Sequence, residues 1–156
     1  MAKFAVLFVC LGNICRSPLA EAAFRIEAAR LGLDVEVDSA GTGGWHRGDA
    51  PDPRAQAAAR RNGVDIGGYR ARQMRAEDFA RYTHIVAMDP DNLADLERLR
   101  PPGATAELSL MLDHAGRPGQ PVEDPYYGAD DGFDVTWADV SAGAHGLARA
   151  LNDGGA

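Results

Sequence analysis

The chain has 156 residues, of which 46% are hydrophobic and 25% charged, and its formal net charge is -7. This balance is typical of one globular domain and argues against a disordered chain. The acidic charge argues against a nucleic-acid partner, which favours a basic surface, and two cysteines are too few for a disulfide-stapled scaffold or a four-cysteine metal site.

The longest apolar run covers residues 4–11, which is far short of the ~20 residues that a membrane helix needs. A signal peptide is also disfavoured, because Gly12, Asn13 and Arg16 follow where a small-residue cleavage site would lie. We therefore expect a buried strand, no membrane partner, and a cytoplasmic protein with reduced thiols. Export without a signal peptide stays open as the alternative.

The chain alternates between strand and helix patterns. Apolar segments predict strands at residues 3–9, 35–39, 84–88 and 107–112. Helical spacing and terminal residues predict helices at residues 17–31, 54–62, 92–99 and 133–151, with a short helical turn at 77–81. Ser17 is expected to cap the first helix, with Pro18 in its first turn. Such alternation is typical of a parallel sheet with helices on both faces, which binds ligands at the carboxyl ends of its strands.

The first predicted strand leads into a loop in which Cys10 and Arg16 enclose five residues. A loop between a strand and a helix start offers backbone N–H groups to an anion, and Arg16 can donate two hydrogen bonds to a phosphate. Gly12 permits close backbone approach, and Asn13 tolerates a left-handed conformation. Cys10 beneath such a cradle would be a thiolate nucleophile. The alternative is that Cys10 is a small buried residue that ends a strand.

A candidate proton donor lies far downstream, at Asp124 in the sequence Asp-Pro-Tyr-Tyr-Gly. An aspartic acid can protonate the oxygen that leaves a phosphate ester and then act as a base toward water. The adjacent Tyr126 and Tyr127 could line a cleft for an aromatic ring. The alternative is an ordinary turn, which Asp-Pro and Tyr-Gly both favour.

These two segments, residues 9–18 and 124–128, resemble the low-molecular-weight protein tyrosine phosphatases. The resemblance extends along nearly the whole chain. Shorter segments match the family in order, at residues 37–40, 71–73, 78–79 and 88–89 with Asn92. The resemblance implies a single domain over residues 1–156, with a four-stranded parallel sheet, helices on both faces and a flavodoxin-like doubly wound topology.

The resemblance also implies a mechanism without cofactor or metal. Cys10 would attack phosphotyrosine in a protein or peptide substrate to form a phosphocysteine, Arg16 would bind the phosphate, and Asp124 would be the general acid and base. The phosphate-binding loop would comprise Leu11, Gly12, Asn13, Ile14, Cys15, Arg16 and Ser17. The four histidines share no metal-ligand spacing, which agrees with a metal-free site.

Supporting roles follow from the same resemblance. Ser17 would hydrogen-bond the Cys10 sulfur, and Asn13 would hold the loop against Ser39. Cys15 would form a reversible disulfide with Cys10 under oxidation, which would regulate the enzyme. The cleft would be lined by Trp45, Tyr126 and Tyr127, of which either tyrosine could be phosphorylated by a tyrosine kinase. The chain has Tyr69 where family members often have a histidine.

Four other functions compete with this interpretation. A thioredoxin-coupled arsenate reductase requires further cysteines, and none follows Cys15. Protein arginine phosphatases have a threonine where this chain has Ile14, so a tyrosine substrate is favoured. A phosphopeptide-binding module would have lost Cys10 or Asp124, and both are present. A redox switch alone is disfavoured, because four residues separate Cys10 from Cys15 instead of the usual two.

Overall fold

A four-stranded parallel sheet organises the molecule in this computed structural model, which describes residues 3–154. The strands are β1 (Phe4–Cys10), β2 (Val35–Gly41), β3 (His84–Ala87) and β4 (Glu107–Leu110). They lie in the order β2-β1-β3-β4, and all three neighbouring pairs are parallel. This order is that of a flavodoxin-like doubly wound sheet, so the predicted fold class is confirmed.

Helices cover both faces of the sheet: α1 (Arg16–Leu31), α2 (Pro53–Arg61), α3 (Asp78–Arg81), α4 (Pro90–Leu99) and α5 (Gly132–Asn152). Val6 and Phe8 of β1 belong to the core that includes residues of α1 and α5, whereas Leu7 belongs to the opposite core with Phe79 and Leu96. Burial on both sides explains why β1 is continuously apolar. None of the helices within residues 3–154 combines the length and apolar character needed to cross a membrane.

The predicted cap of the first helix is wrong. Helix α1 begins at Arg16, and its N-cap residue, Cys15, makes no capping hydrogen bond through its side chain. The Ser17 hydroxyl instead lies 3.0 Å from the Cys10 sulfur and accepts a hydrogen bond from the Asn13 side chain. Ser17 is therefore buried, and its hydroxyl contacts Cys10 and Asn13 instead of capping the helix.

The end of the fourth strand also differs from its prediction. Strand β4 ends at Leu110, and Met111–Ala115 form a 3₁₀ helix. The carboxylate of Asp113 accepts hydrogen bonds from the N–H groups of Leu110 and Gly119, both at 2.9 Å, which turn the chain at this point. The other predicted elements agree with the structure apart from small shifts at their ends.

Two glycines let α5 approach this 3₁₀ helix. A Cβ at Gly146 would lie 1.7 Å from the His114 carbonyl oxygen, and one at Gly143 would lie 2.6 Å from that of Met111. Both glycines lower helix propensity, yet the close approach requires them. This contact holds the end of β4 against α5, which begins just after the segment that carries Asp124.

Candidate active site

The loop that joins β1 to α1, residues 10–16, will be called the Cys10 loop. Its carbonyl oxygens are tied to neighbouring segments, since Cys10 accepts from the N–H of Thr42, Leu11 from Gly43 and Ile14 from Asp52 at 2.8–2.9 Å. Within the described residues 3–154, the N–H groups of residues 11–15 donate to no protein acceptor. A loop with bound carbonyls and free N–H groups beside a helix N-terminus is suited to an anion.

Asn13 fixes the shape of the Cys10 loop. Among the described residues 3–154, Asn13 is the only non-glycine residue with a positive φ, which is 59°. Its side-chain N–H₂ donates to the hydroxyls of Ser17 at 2.8 Å and Ser39 at 3.0 Å, and its oxygen accepts from the N–H of Arg72 at 3.0 Å. These three hydrogen bonds stabilise a backbone conformation that is otherwise unfavourable. The contact between Asn13 and Ser39 that the family resemblance implied is therefore present.

Glu21 completes this network and was missed in the sequence. Its carboxylate accepts a hydrogen bond of 2.7 Å from the Ser39 hydroxyl and pairs with Arg25 at 2.9 Å. Burial raises the pKa of Glu21, while the hydrogen bond from Ser39 and the charge of Arg25 oppose that rise. Glu21 is one of two glutamates in an alanine-rich helix, and such residues usually lie on the surface, so no local pattern indicates its burial.

Cys10 lines a cavity of about 190 Å³. The residue is 3% exposed, and its sulfur is 3.0 Å from the Ser17 hydroxyl. Arg16 and Asp124 line the same cavity, so the structure brings together the three predicted catalytic residues. An open cavity above a sulfur with a polar neighbour differs from the apolar surroundings expected of a purely structural cysteine.

Two carboxylates and a backbone carbonyl surround the buried Arg16 guanidinium. Its Nη1 lies 2.6 Å from Asp89 Oδ2 and donates to the Val122 carbonyl at 3.0 Å, and Nη2 lies 3.7 Å from Asp124 Oδ2. Burial alone would lower the pKa of Arg16, but the Cys10 sulfur and the hydrogen bond to Asp89 outweigh it and keep the pKa raised. Arg16 therefore stays a cation with a fixed orientation.

Asp89 is a functional residue to which the sequence analysis gave no role. It ends the turn after β3 and caps α4, where its Oδ1 accepts from the N–H of Asn92 at 2.7 Å. The other carboxylate oxygen pairs with Arg16. The signal was present in Asp89-Pro90 at the carboxyl end of a strand, where parallel sheets place their ligand-binding residues.

Asp124 serves as a turn residue and also faces the cavity. Its Oδ1 accepts a hydrogen bond of 3.1 Å from the N–H of Tyr126, and its side chain is 45% exposed. The turn and the proton-donor interpretations are thus compatible. The accessible carboxyl can reach a bound ligand while the hydrogen bond limits its rotation.

Aromatic side chains form the rim of the cavity, which is lined by Trp45, Tyr126 and Tyr127 together with Leu11 and His46. Trp45 is 73% exposed and lies over Gly43, where a Cβ would fall 1.7 Å from the indole ring. Tyr127 is 94% exposed. His46 was not predicted and lies beside Gly12, where a Cβ would approach its ring to 3.0 Å.

Cys15 lines the same cavity as Cys10, and both thiols are free. Burial raises the pKa of the Cys15 thiol, and the nearby Asp52 and Cys10 add to that rise. Cys15 is therefore a neutral thiol. Within residues 3–154, no cluster of three or more His, Cys, Asp or Glu side chains could hold a metal ion.

Tyr69 lies at the opposite side of the loop network, in a polar cavity with Glu21 and Arg25. Burial raises the pKa of Tyr69, and the charge of Glu21 adds to the rise while Arg25 opposes it. In this chain Arg25 therefore supplies the positive charge that faces Glu21.

Comparisons with known proteins agree with this site. The family model for low molecular weight phosphotyrosine protein phosphatase matches residues 5–155. The chain is 47% identical over 133 residues to the low molecular weight phosphotyrosine protein phosphatase of Schizosaccharomyces pombe, covering 82% of this chain and 84% of that protein. It is 44% identical over 156 residues to the low molecular weight protein-tyrosine-phosphatase of Streptomyces coelicolor, covering 96% of this chain and 94% of that protein.

The crystal structure of a low molecular weight phosphotyrosine phosphatase from Vibrio cholerae superimposes with a TM-score of 0.91. The two chains are 34% identical, and the alignment covers 99% of this chain and 100% of that one. Sequence and structure thus support the resemblance seen in the two motifs. The chain belongs to the low molecular weight phosphotyrosine protein phosphatase family and is an enzyme of that class.

Proposed function

We propose that residues 1–156 are a single phosphatase domain that hydrolyses phosphotyrosine in a protein or peptide substrate in two steps. In the first step the Cys10 thiolate attacks phosphorus, and the bond from phosphorus to the tyrosine oxygen breaks as Asp124 gives that oxygen a proton. In the second step the Asp124 carboxylate takes a proton from water, which attacks the phosphocysteine. Inorganic phosphate leaves and the thiolate is restored.

The position of the Cys10 sulfur carries this proposal. Cys10 lines the same cavity as Arg16 and Asp124. The unpaired N–H groups of residues 11–15 and the Arg16 cation supply donors for the phosphate oxygens, and these donors need no rearrangement during the reaction. The 3.0 Å contact from Ser17 stabilises negative charge on sulfur when the phosphate leaves.

The cavity wall favours an aromatic substrate. Trp45 and Tyr126 line the same cavity as Cys10, and Ile14 offers no hydroxyl to a phosphoguanidinium group. The chemistry of Cys10 also supports a cytoplasmic location, because a reducing compartment keeps both thiols free.

We predict that Cys10→Ser abolishes hydrolysis. The hydroxyl of serine is not ionised at neutral pH, so turnover of a phosphotyrosine peptide should fall by at least about 10³-fold. The variant should still bind the peptide, which isothermal titration calorimetry would measure. Retained turnover by Cys10→Ser would contradict the proposal.

The parent enzyme should hydrolyse phosphotyrosine faster than phosphoarginine.

Trp45 is predicted to contribute to binding of the substrate beyond its phosphate. Trp45→Ala should raise KM for a phosphotyrosine peptide about fivefold, because the ring contact is lost. Inhibition by inorganic phosphate should not change. Leu99→Ala is the matched control, since Leu99 is also an exposed apolar residue (48%) but lies on α4, outside the cavity lining. Equal weakening of peptide and phosphate binding would refute this role.

Reversible oxidation is the proposed regulation of the enzyme. Peroxide oxidises the Cys10 thiolate to a sulfenic acid and is itself reduced to hydroxide, and Cys15 then displaces water to form a disulfide. Burial raises the pKa of the Cys15 thiol, so peroxide should react at Cys10 first. Cys15 then gives up its proton to the departing hydroxyl as its sulfur attacks the sulfenic acid.

Removal of Cys15 tests this regulation. Peroxide should inactivate the parent and Cys15→Ser alike, but dithiothreitol should restore only the parent fully, because the unprotected sulfenic acid is oxidised further. Activity assays and mass spectrometry of Cys10 would follow both variants. Equal recovery of the two proteins would exclude Cys15 as the partner.

A further inference from the structure

Arg54 connects α2 to the segment that carries Asp124. Its Nε and Nη2 donate to the two carboxylate oxygens of Asp52 at 3.1 and 3.0 Å, and Nη2 also donates to the Tyr126 carbonyl at 3.0 Å. Asp52 is itself the N-cap of α2 and is nearly buried, with 9% of its side chain exposed. Burial opposes ionisation of Asp52, but the hydrogen bonds from Arg54 outweigh it and lower its pKa. The pair is therefore charged and rigidly oriented.

The backbone of Tyr126 connects Arg54 to Asp124 through two hydrogen bonds. Its carbonyl accepts from Arg54 at 3.0 Å, while its N–H donates to Asp124 Oδ1 at 3.1 Å. The guanidinium carbon of Arg54 also lies 5.4 Å from the centre of the Tyr126 ring and 4.7 Å from that of the buried Phe133. These ring contacts are within the range of cation–π attraction.

The ion pair of Asp52 and Arg54 is also connected to the Cys10 loop. The N–H of Asp52 donates to the Ile14 carbonyl at 2.8 Å. Asp52 and Arg54 therefore join the loop that holds the nucleophile to the segment that holds the proton donor. Residues 126–131 are all exposed, so beyond the buried Pro125 this segment has little packing of its own to hold it in place.

We propose that Arg54 is a positioning residue that holds the Asp124 carboxyl at the leaving oxygen through the backbone of Tyr126. The proposal rests on the assignment of Asp124 as the general acid. Among the described residues 3–154, Arg54 does not belong to the set that lines the cavity. Its loss should therefore impair protonation of the leaving group more than binding of the phosphate.

The dependence of kcat/KM on the leaving group tests this role. A series of aryl phosphates with increasingly basic phenols, ending with a phosphotyrosine peptide, is hydrolysed by the parent and by Arg54→Gln. The variant should lose about tenfold on phosphotyrosine and less than about threefold on the most activated ester, because only poor leaving groups require a well-placed acid. Inhibition by inorganic phosphate should not change.

Two further variants serve as references for the leaving-group dependence of Arg54→Gln. Asp124→Asn should show a steeper dependence than Arg54→Gln, since it lacks the acid altogether. Arg61→Gln is the matched control, because Arg61 is also an arginine of α2 that pairs with an acid, Asp134 of α5, at 2.6 Å, without a contact to Tyr126. It should follow the parent over the whole series.

The inference is overturned if Arg54→Gln lowers kcat/KM by the same factor for every ester while Asp124→Asn still shows a steep dependence on the leaving group. A flat series for Asp124→Asn would instead contradict the acid assignment of the proposed function and, with it, this inference. Should thermal melting show that Arg54→Gln is unfolded, Arg54→Lys takes its place. Lysine keeps the charge but lacks the planar fork, so the same selective loss is expected at smaller size, and a uniform loss again overturns the inference.

Discussion

The backbone of Asn13 has a φ of 59°, a conformation that non-glycine residues rarely adopt, and the geometry of the active site depends on it. The side-chain amide that stabilises this conformation is bound to Ser17, Ser39 and the N–H of Arg72. Ser17 is in turn the hydroxyl beside the Cys10 sulfur. One residue therefore determines both the turn of the loop between β1 and α1 and the polar surroundings of the Cys10 sulfur.

In the free protein, the positive charge of Arg16 is already paired with a carboxylate. The Arg16 side chain is 4% exposed and would be costly to bury alone, but Asp89 pairs with it at 2.6 Å. Asp89 is held by its second role as the cap of α4. The guanidinium is therefore already oriented in the free protein, and a structural element of the fold supplies the orientation.

The sequence predicted those features that local patterns determine. Alternating strands and helices predicted a parallel sheet with helices on both faces, and the family resemblance added its doubly wound topology. The position of Cys10 between a strand and a helix predicted the loop. The pairing of Arg16 with Asp89 depends on the parallel register of β1 and β3, across 73 positions of sequence, which no local pattern reveals. The end of β4 was misplaced because Met111 and Leu112 are buried in a 3₁₀ helix and look as apolar as a strand.

The most direct test of the account is the identity of the group that carries phosphate during turnover. The enzyme is mixed with an activated aryl phosphate, quenched in acid before the substrate is exhausted, and mapped by peptide mass spectrometry. The account predicts that the Cys10 sulfur carries the phosphate, and that Asp124→Ala accumulates more of this adduct because water then lacks its base. Continued hydrolysis with no phosphate on Cys10 would contradict it.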